Sequence, residues 1–140
     1  MQMSEAKIIG SATAINKGGH YETTLIARDT TLLADEPEEY GGSELSPSPA
    51  DYLCMALASC KAITVRMYVT RKGCRLDKIS VTANYVKGDE LKSGINTFFC
   101  EVELTGALTE EQRSRIVQIA NACPVDRLLH NPTEVVTTMK

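Results

Sequence analysis

The sequence predicts one α+β domain, a mainly antiparallel sheet with helices packed on it. Three observations lead there. A long stretch from Ser48 to Lys72 carries helical periodicity and signals at both ends. Strands of period two come in adjacent pairs before and after it, which favours antiparallel pairing over alternating β-α-β units. A second, shorter helix follows with its own capping pattern. With 140 residues, the chain is long enough for one core and too short for two comfortable ones.

The elements follow in order. Lys7 to Ile15 and His20 to Arg28 read as strands joined by Lys17-Gly18-Gly19, a hairpin connection. In the second, Tyr21, Thr23, Leu25 and Ala27 alternate with Glu22, Thr24, Ile26 and Arg28, so neither face is wholly polar. Thr31 to Ala34 is a third strand. Asp35 to Pro47, rich in Glu, Gly, Ser and Pro, is a surface loop of a length that often carries function.

Ser48 then caps the long helix, Pro49 suits its first turn, and Asp51 stands three residues after the cap. Leu53, Leu57, Cys60, Thr64 and Met67 share one face; Ala56, Cys60, Ile63 and Met67 form a second stripe. Cys60 lies where the stripes cross, so it is expected to face the core or a neighbouring subunit. Gly73 ends the helix after Arg71 and Lys72, whose charges suit its C-terminal dipole. At 1.5 Å per residue the helix is roughly 36 Å long.

Beyond Gly73 the period changes to two. Ile79, Val81, Ala83 and Tyr85 make a one-sided strand, Lys87 to Gly94 a polar turn, and Phe98, Cys100, Val102 and Leu104 the returning strand. Thr109-Glu110-Glu111-Gln112 is a capping box, and the helix it opens presents Ile116, Ile119, Ala120 and Cys123. Pro124 interrupts it, Pro124 to His130 forms a short helical turn, and Thr133 to Met139 closes the chain as a strand. The predicted order is β-β-β-α-β-β-α-β.

Composition excludes several functions. Hydrophobic content is 43%, charged content 24% and net charge −3, with no basic patch, so nucleic acid is not expected as a partner. The apolar run from Tyr52 to Val65, broken only by Lys61, is too short to span a bilayer, so no membrane is expected either. The opening Met-Gln-Met-Ser-Glu-Ala-Lys has no apolar signal core, which points to the cytoplasm.

The five cysteines, at 54, 60, 74, 100 and 123, are odd in number and suit free thiols in a reducing compartment. Cys54 lies about 120° around the helix from Cys60 and reads as packing, as does Cys100, in phase with Phe98 and Val102. Nothing near Cys74 suggests a task. Cys60 and Cys123 differ: each sits on the apolar face of a helix, and Cys123 can cap the short helix that Pro124 opens. A sulfur there feels the positive end of a helix dipole, which favours thiolate. Cys60, mid-helix, has no such help. Lowering a thiol pKa from about 8.5 to about 6 takes ~3.4 kcal/mol of preference for the anion. From the pattern alone, packing and chemistry both stay open for this pair. Cys-x-x-Cys, His-x-x-x-His, a Gly-x-Ser-x-Gly elbow and a phosphate loop are all missing, so no metal site, serine hydrolase chemistry or phosphate cradle is expected.

Pro49, Leu53, Ala56-Leu57, Cys60 and Thr64 on the long helix, with Cys123-Pro124-Val125 after the second, resemble the OsmC/Ohr family. The approach through Asp35-Glu36-Pro37, Gly41-Gly42 and Pro47-Ser48-Pro49 resembles one OsmC-like branch. The resemblance runs from about Lys7 to Met139. It implies an intertwined homodimer and a thiol peroxidase acting, without metal or organic cofactor, on organic hydroperoxides and, less well, hydrogen peroxide. Carried over, Cys60 is the peroxidatic cysteine and Cys123 the resolving one, joined in a disulfide that an external dithiol of lipoyl or thioredoxin type reduces. Where well-studied members carry an activating arginine after Gly-Gly, this chain has His20; where they carry a glutamate after the helix-opening proline, it has Ala50, with Asp51 next. His20, Arg28 and Asp51 are therefore the candidate supporting residues, set against plain roles as strand or cap residues. After Cys123-Pro124-Val125, many branches have His; here Asp126 would oppose ionisation of Cys123 and Arg127 could offset it. The competing readings are a non-catalytic redox-sensing or ligand-binding dimer, and an enzyme using Cys60 on some other electrophile.

Overall fold

A computed structural model of the chain describes residues 6–140. Residues 1–5, which belong to the stretch read above for an export signal, lie outside the described residues. The contacts gather into two compact units, one ending at Tyr52 and the other running Leu53–Lys140.

The first unit is an antiparallel meander of β1 (Thr13–Ile15), β2 (Thr23–Ala27) and β3 (Thr30–Ala34). Both hairpin strands are shorter than the sequence predicts. Thr13 pairs with Ile26, so residues before it would need partners from Ala27 onward. There the chain has already turned through Arg28 and Asp29 into β3, which leaves residues 7–12 out of the ladder. At the other end the Asn16 side chain organises the turn: its amide donates to the carbonyls of His20 and Glu22 at 3.1 and 3.2 Å, and its Oδ1 accepts from Gly18 N–H at 3.0 Å.

The loop after β3 is pinned by Asp35. Its buried carboxylate accepts from the Glu36 N–H at 2.8 Å, the Ser43 N–H at 3.3 Å and the Ser43 hydroxyl. The Asp35 N–H donates to the Pro47 carbonyl at 3.1 Å, closing the loop at its base. Gly42 is required by this crossing: a Cβ there would lie 1.8 Å from the Glu36 carbonyl oxygen. The loop delivers the chain to α1 (Pro49–Lys72). Ser48 and Asp51 cap it reciprocally, with Ser48 N–H to Asp51 Oδ2 at 2.9 Å and Asp51 N–H to Ser48 Oγ at 3.2 Å. The Tyr52 hydroxyl donates to the Leu33 carbonyl at 2.6 Å and ties the first turn to β3. Gly73, at φ 74°, ends the helix in the left-handed region.

The second unit holds most of α1, the hairpin β4 (Lys78–Val86) and β5 (Thr97–Thr105), α2 (Glu110–Ala120) and α3 (Pro124–His130). The hairpin registers from Lys78 opposite Thr105 to Val86 opposite Thr97. Thr109 and Gln112 form the capping box at α2. Val65, Val69, Leu76, Ile116 and Ala120 make the core, with Tyr68, Ile79, Leu104 and Ile119 packed around it.

Three expectations are corrected here. The buried stripe of α1 is Leu57, Lys61, Val65 and Val69, a single four-residue row, whereas Leu53, Ile63 and Met67 are exposed. That row packs with Ile116 and Ala120 of α2, themselves four apart, so the helix neighbour and not the average hydrophobicity sets the rotation. Second, the whole 24-residue helix is long and apolar enough by length and composition to cross a membrane, which counting only Tyr52 to Val65 had excluded. Val65 and Val69 of its buried row pack with Ile116 and Ala120 of α2. Third, Thr133 to Met139 forms no strand. Val135, Val136 and Met139 are exposed, and their β propensity meets no sheet edge within the chain.

Candidate active site

Cys123 owes its place to Pro124. Proline lacks an N–H and cannot continue α2, but it suits the first position of a new helix. Cys123 therefore turns extended, at φ −72° and ψ 148°, and caps α3, its sulfur accepting from the Asp126 N–H at 3.3 Å. The side chain is fully buried. Cys60, half-buried on α1, lies beside it, and all five thiols are free. Burial pushes the Cys123 thiol above its ordinary range. The Asp126 N–H acts against that, the neighbouring Cys60 adds to it by hydrogen bonding and charge, and the Lys61 cation lowers it. The two candidate thiols are thus brought together from helices remote in sequence.

The sequence reading missed Lys61. It was visible only as the break in an apolar run, yet it is 3% exposed and occupies the buried row between Leu57 and Val65. An ammonium has three protons to donate, and each finds an acceptor. They are the Ala120 carbonyl at 3.2 Å, Asn121 Oδ1 at 3.4 Å and Asp126 Oδ2 at 2.5 Å. α2 carries no basic residue in its own last turn, so Lys61 supplies from α1 the cation its C-terminus favours. The cation opposite Asp126 is therefore Lys61; Arg127, the residue expected to offset that charge, points to solvent. Its spacing of four from both Leu57 and Val65 puts the lysine in their row, but α2 decides that this row is the buried one. The other Asp126 oxygen, Oδ1, meets exposed His130 Nδ1 at 2.8 Å.

Next to this ion pair opens a cavity of about 900 Å³. Leu53, Leu57, Tyr85, Ile95, Phe98 and Leu129 give it apolar walls; Lys61, Asn121, Asp126 and His130 give it a polar side. Leu57 and Phe98 line it, while Met55 and Phe99 do not. Cys100 also lines it, its thiol pushed up by burial and pulled oppositely by Lys61 and Asp126. Among the described residues no three His, Cys, Asp or Glu side chains gather into a metal-holding group.

The three supporting candidates belong to the first unit. His20 is exposed at the β1–β2 turn, where its charge helps lower the Asp35 carboxyl, after the larger effects of Ser43 and Glu36. Arg28 is exposed at the β2–β3 turn with φ 54°. Asp51 is engaged by Ser48 in the helix cap.

No functionally curated protein matches the chain by sequence. Among solved structures, an OsmC-like protein from Mycoplasma pneumoniae is similar at TM-score 0.70 and 17% identity, over 89% of each chain. An OsmC-like protein of unknown function from Vibrio cholerae reaches 0.71 at 15% identity, over 87% of this chain and 94% of that one. An organic hydroperoxide resistance protein, OsmC, from Legionella pneumophila reaches 0.63 at 17% identity, over 89% and 90%. These likenesses establish the α+β fold. The family model described as OsmC-like protein matches residues 41–138, well over half of the sequence and both candidate cysteines, and the chain belongs to that family.

Proposed function

We propose that the protein is a thiol-dependent peroxidase that reduces organic hydroperoxides. The observation that carries this reading is the adjacency of two free thiols, Cys60 and Cys123, presented by different helices. The name of the Legionella pneumophila neighbour, an organic hydroperoxide resistance protein, agrees with it. Cys60 is the peroxidatic residue. Its thiolate attacks the terminal peroxide oxygen; an S–O bond forms as the O–O bond breaks, the alkoxide takes up the proton that the Cys60 thiol released and leaves as an alcohol, and Cys60 becomes a sulfenic acid. Cys123 then attacks the sulfenic sulfur. The S–S bond forms, the S–O bond breaks, and water departs. An external dithiol of lipoyl or thioredoxin type restores both thiols. The working form is a cytoplasmic homodimer, and His20, Arg28 and Asp51 remain candidates for supporting Cys60. The 900 Å³ cavity suits a substrate with an apolar body.

The test is peroxide loss on mixing reduced protein with an alkyl hydroperoxide. Cys60→Ser is expected to abolish it. Cys123→Ser is expected to allow one equivalent and then stall with a dithiol that needs the disulfide. Undiminished consumption by Cys60→Ser would refute the assignment. The competing reading is a redox-sensing dimer, favoured by the upward push on the Cys123 thiol, which slows resolution. Such a protein would form the disulfide once and show no multiple turnover with any dithiol.

A further inference from the structure

We propose that Lys61 is a positioning residue for the Cys123 thiol. By clamping the Asp126 carboxylate, it holds the Asp126 N–H on the sulfur and keeps the carboxylate charge from opposing the thiolate. Its catalytic meaning rests on the peroxidase reading, in which Cys123 attacks the Cys60 sulfenic sulfur.

The geometry carries the argument. Lys61 is next in sequence to Cys60, yet its ammonium reaches the end of α2 through the Ala120 carbonyl and the start of α3 through Asp126. One side chain thus ties three elements together at the point where Cys123 stands. Burying an ammonium is costly, and surface residues such as Arg127 could have balanced Asp126 without that cost. What a surface partner cannot do is fix the α3 N-terminus against the helix that bears Cys60. The N–H that reaches the Cys123 sulfur belongs to the same residue whose carboxylate Lys61 grips. Asp126 without its cation would set a negative charge beside the thiol it helps to cap. The ionisable groups around Cys123 are Cys60 and Lys61 from α1 and Asp126 from α3; His130 holds the far oxygen of Asp126, and Cys100 of β5 faces the ion pair.

The experiment is an ultraviolet thiolate titration of the full chain in a Cys60→Ser background. The Cys123 signal is taken as the difference from the Cys60→Ser, Cys123→Ser protein. Lys61→Met is expected to raise the Cys123 midpoint by roughly one pH unit, Asp126→Asn to lower it, and the combination to return it toward the parent. A purely structural role would move both single variants the same way. That result, or no movement in either, overturns the proposal. If Lys61→Met fails to fold by circular dichroism, Asp126→Asn decides alone: a lowered midpoint supports the role, and an unchanged or raised one ends it. Peroxide turnover by the wild-type chain is assayed separately. Turnover with unshifted titrations removes only the role of Lys61; shifted titrations without turnover remove only the peroxidase reading.

Discussion

Cys123 carries its environment in its acidity. Burial favours the neutral thiol, so the folded chain holds that proton more tightly than the unfolded one. The resulting stabilisation is complete below the ordinary thiol pKa and is lost as pH rises through the raised folded value. Denaturation midpoints of the reduced protein should therefore fall across the alkaline range, and less steeply in Cys123→Ala; equal slopes would mean the thiol is not held neutral. The residue was legible because Pro124 forces a cap at 123, a rule of local covalent geometry. Lys61 was not. Its burial depends on acceptors at 120, 121 and 126, and no local pattern announces that those atoms converge on one point.

The loop from Asp35 to Pro47 shows how one side chain can hold an element that has no ladder of its own. Ser43 first, then the Glu36 N–H, keep the Asp35 carboxyl below the usual carboxylate range. Its contribution is present above the ordinary carboxylate pKa and is lost as pH falls through the lowered folded value. Asp35→Asn should lower the protection factors of the Glu36 and Ser43 amides at neutral pH, and acidification of the wild type should do the same once the slower intrinsic exchange in acid is divided out. Exchange that ignores both changes would show the loop to be held elsewhere. Elements with signals inside their own sequence were legible: the Ser48–Asp51 cap, the Gly73 stop, the Thr109–Gln112 box and the β4–β5 alternation. Those whose form depends on a distant partner were not. Residues 7–12 read as strand but run past the end of β2, and Thr133 to Met139 reads as strand but finds no edge. The rotation of α1 belongs to the same class, because α2 decides which row is buried.

At the scale of the molecule, α1 carries an exposed apolar face. Met55, Ile63 and Met67 are all about half exposed or more. Large apolar side chains at this density along one helix are unusual for a surface that meets only water. Covering them returns about 25 cal/mol for each Å² of apolar area removed from water. A second copy, as in the homodimer proposed above, is the occupant to test, since every copy carries the same face. Sedimentation is expected to give the mass of two 15.3 kDa chains. Met67→Glu combined with Ile63→Glu should weaken association by at least tenfold, because each copy would bring charges to an apolar contact. Neither residue belongs to the core around Ile116, so the separated chains should keep their helical circular dichroism. A double variant that sediments as the wild type does would place the interface elsewhere. A monomeric wild type would leave α1 as an apolar surface with no partner, and the twofold assembly would have to be given up.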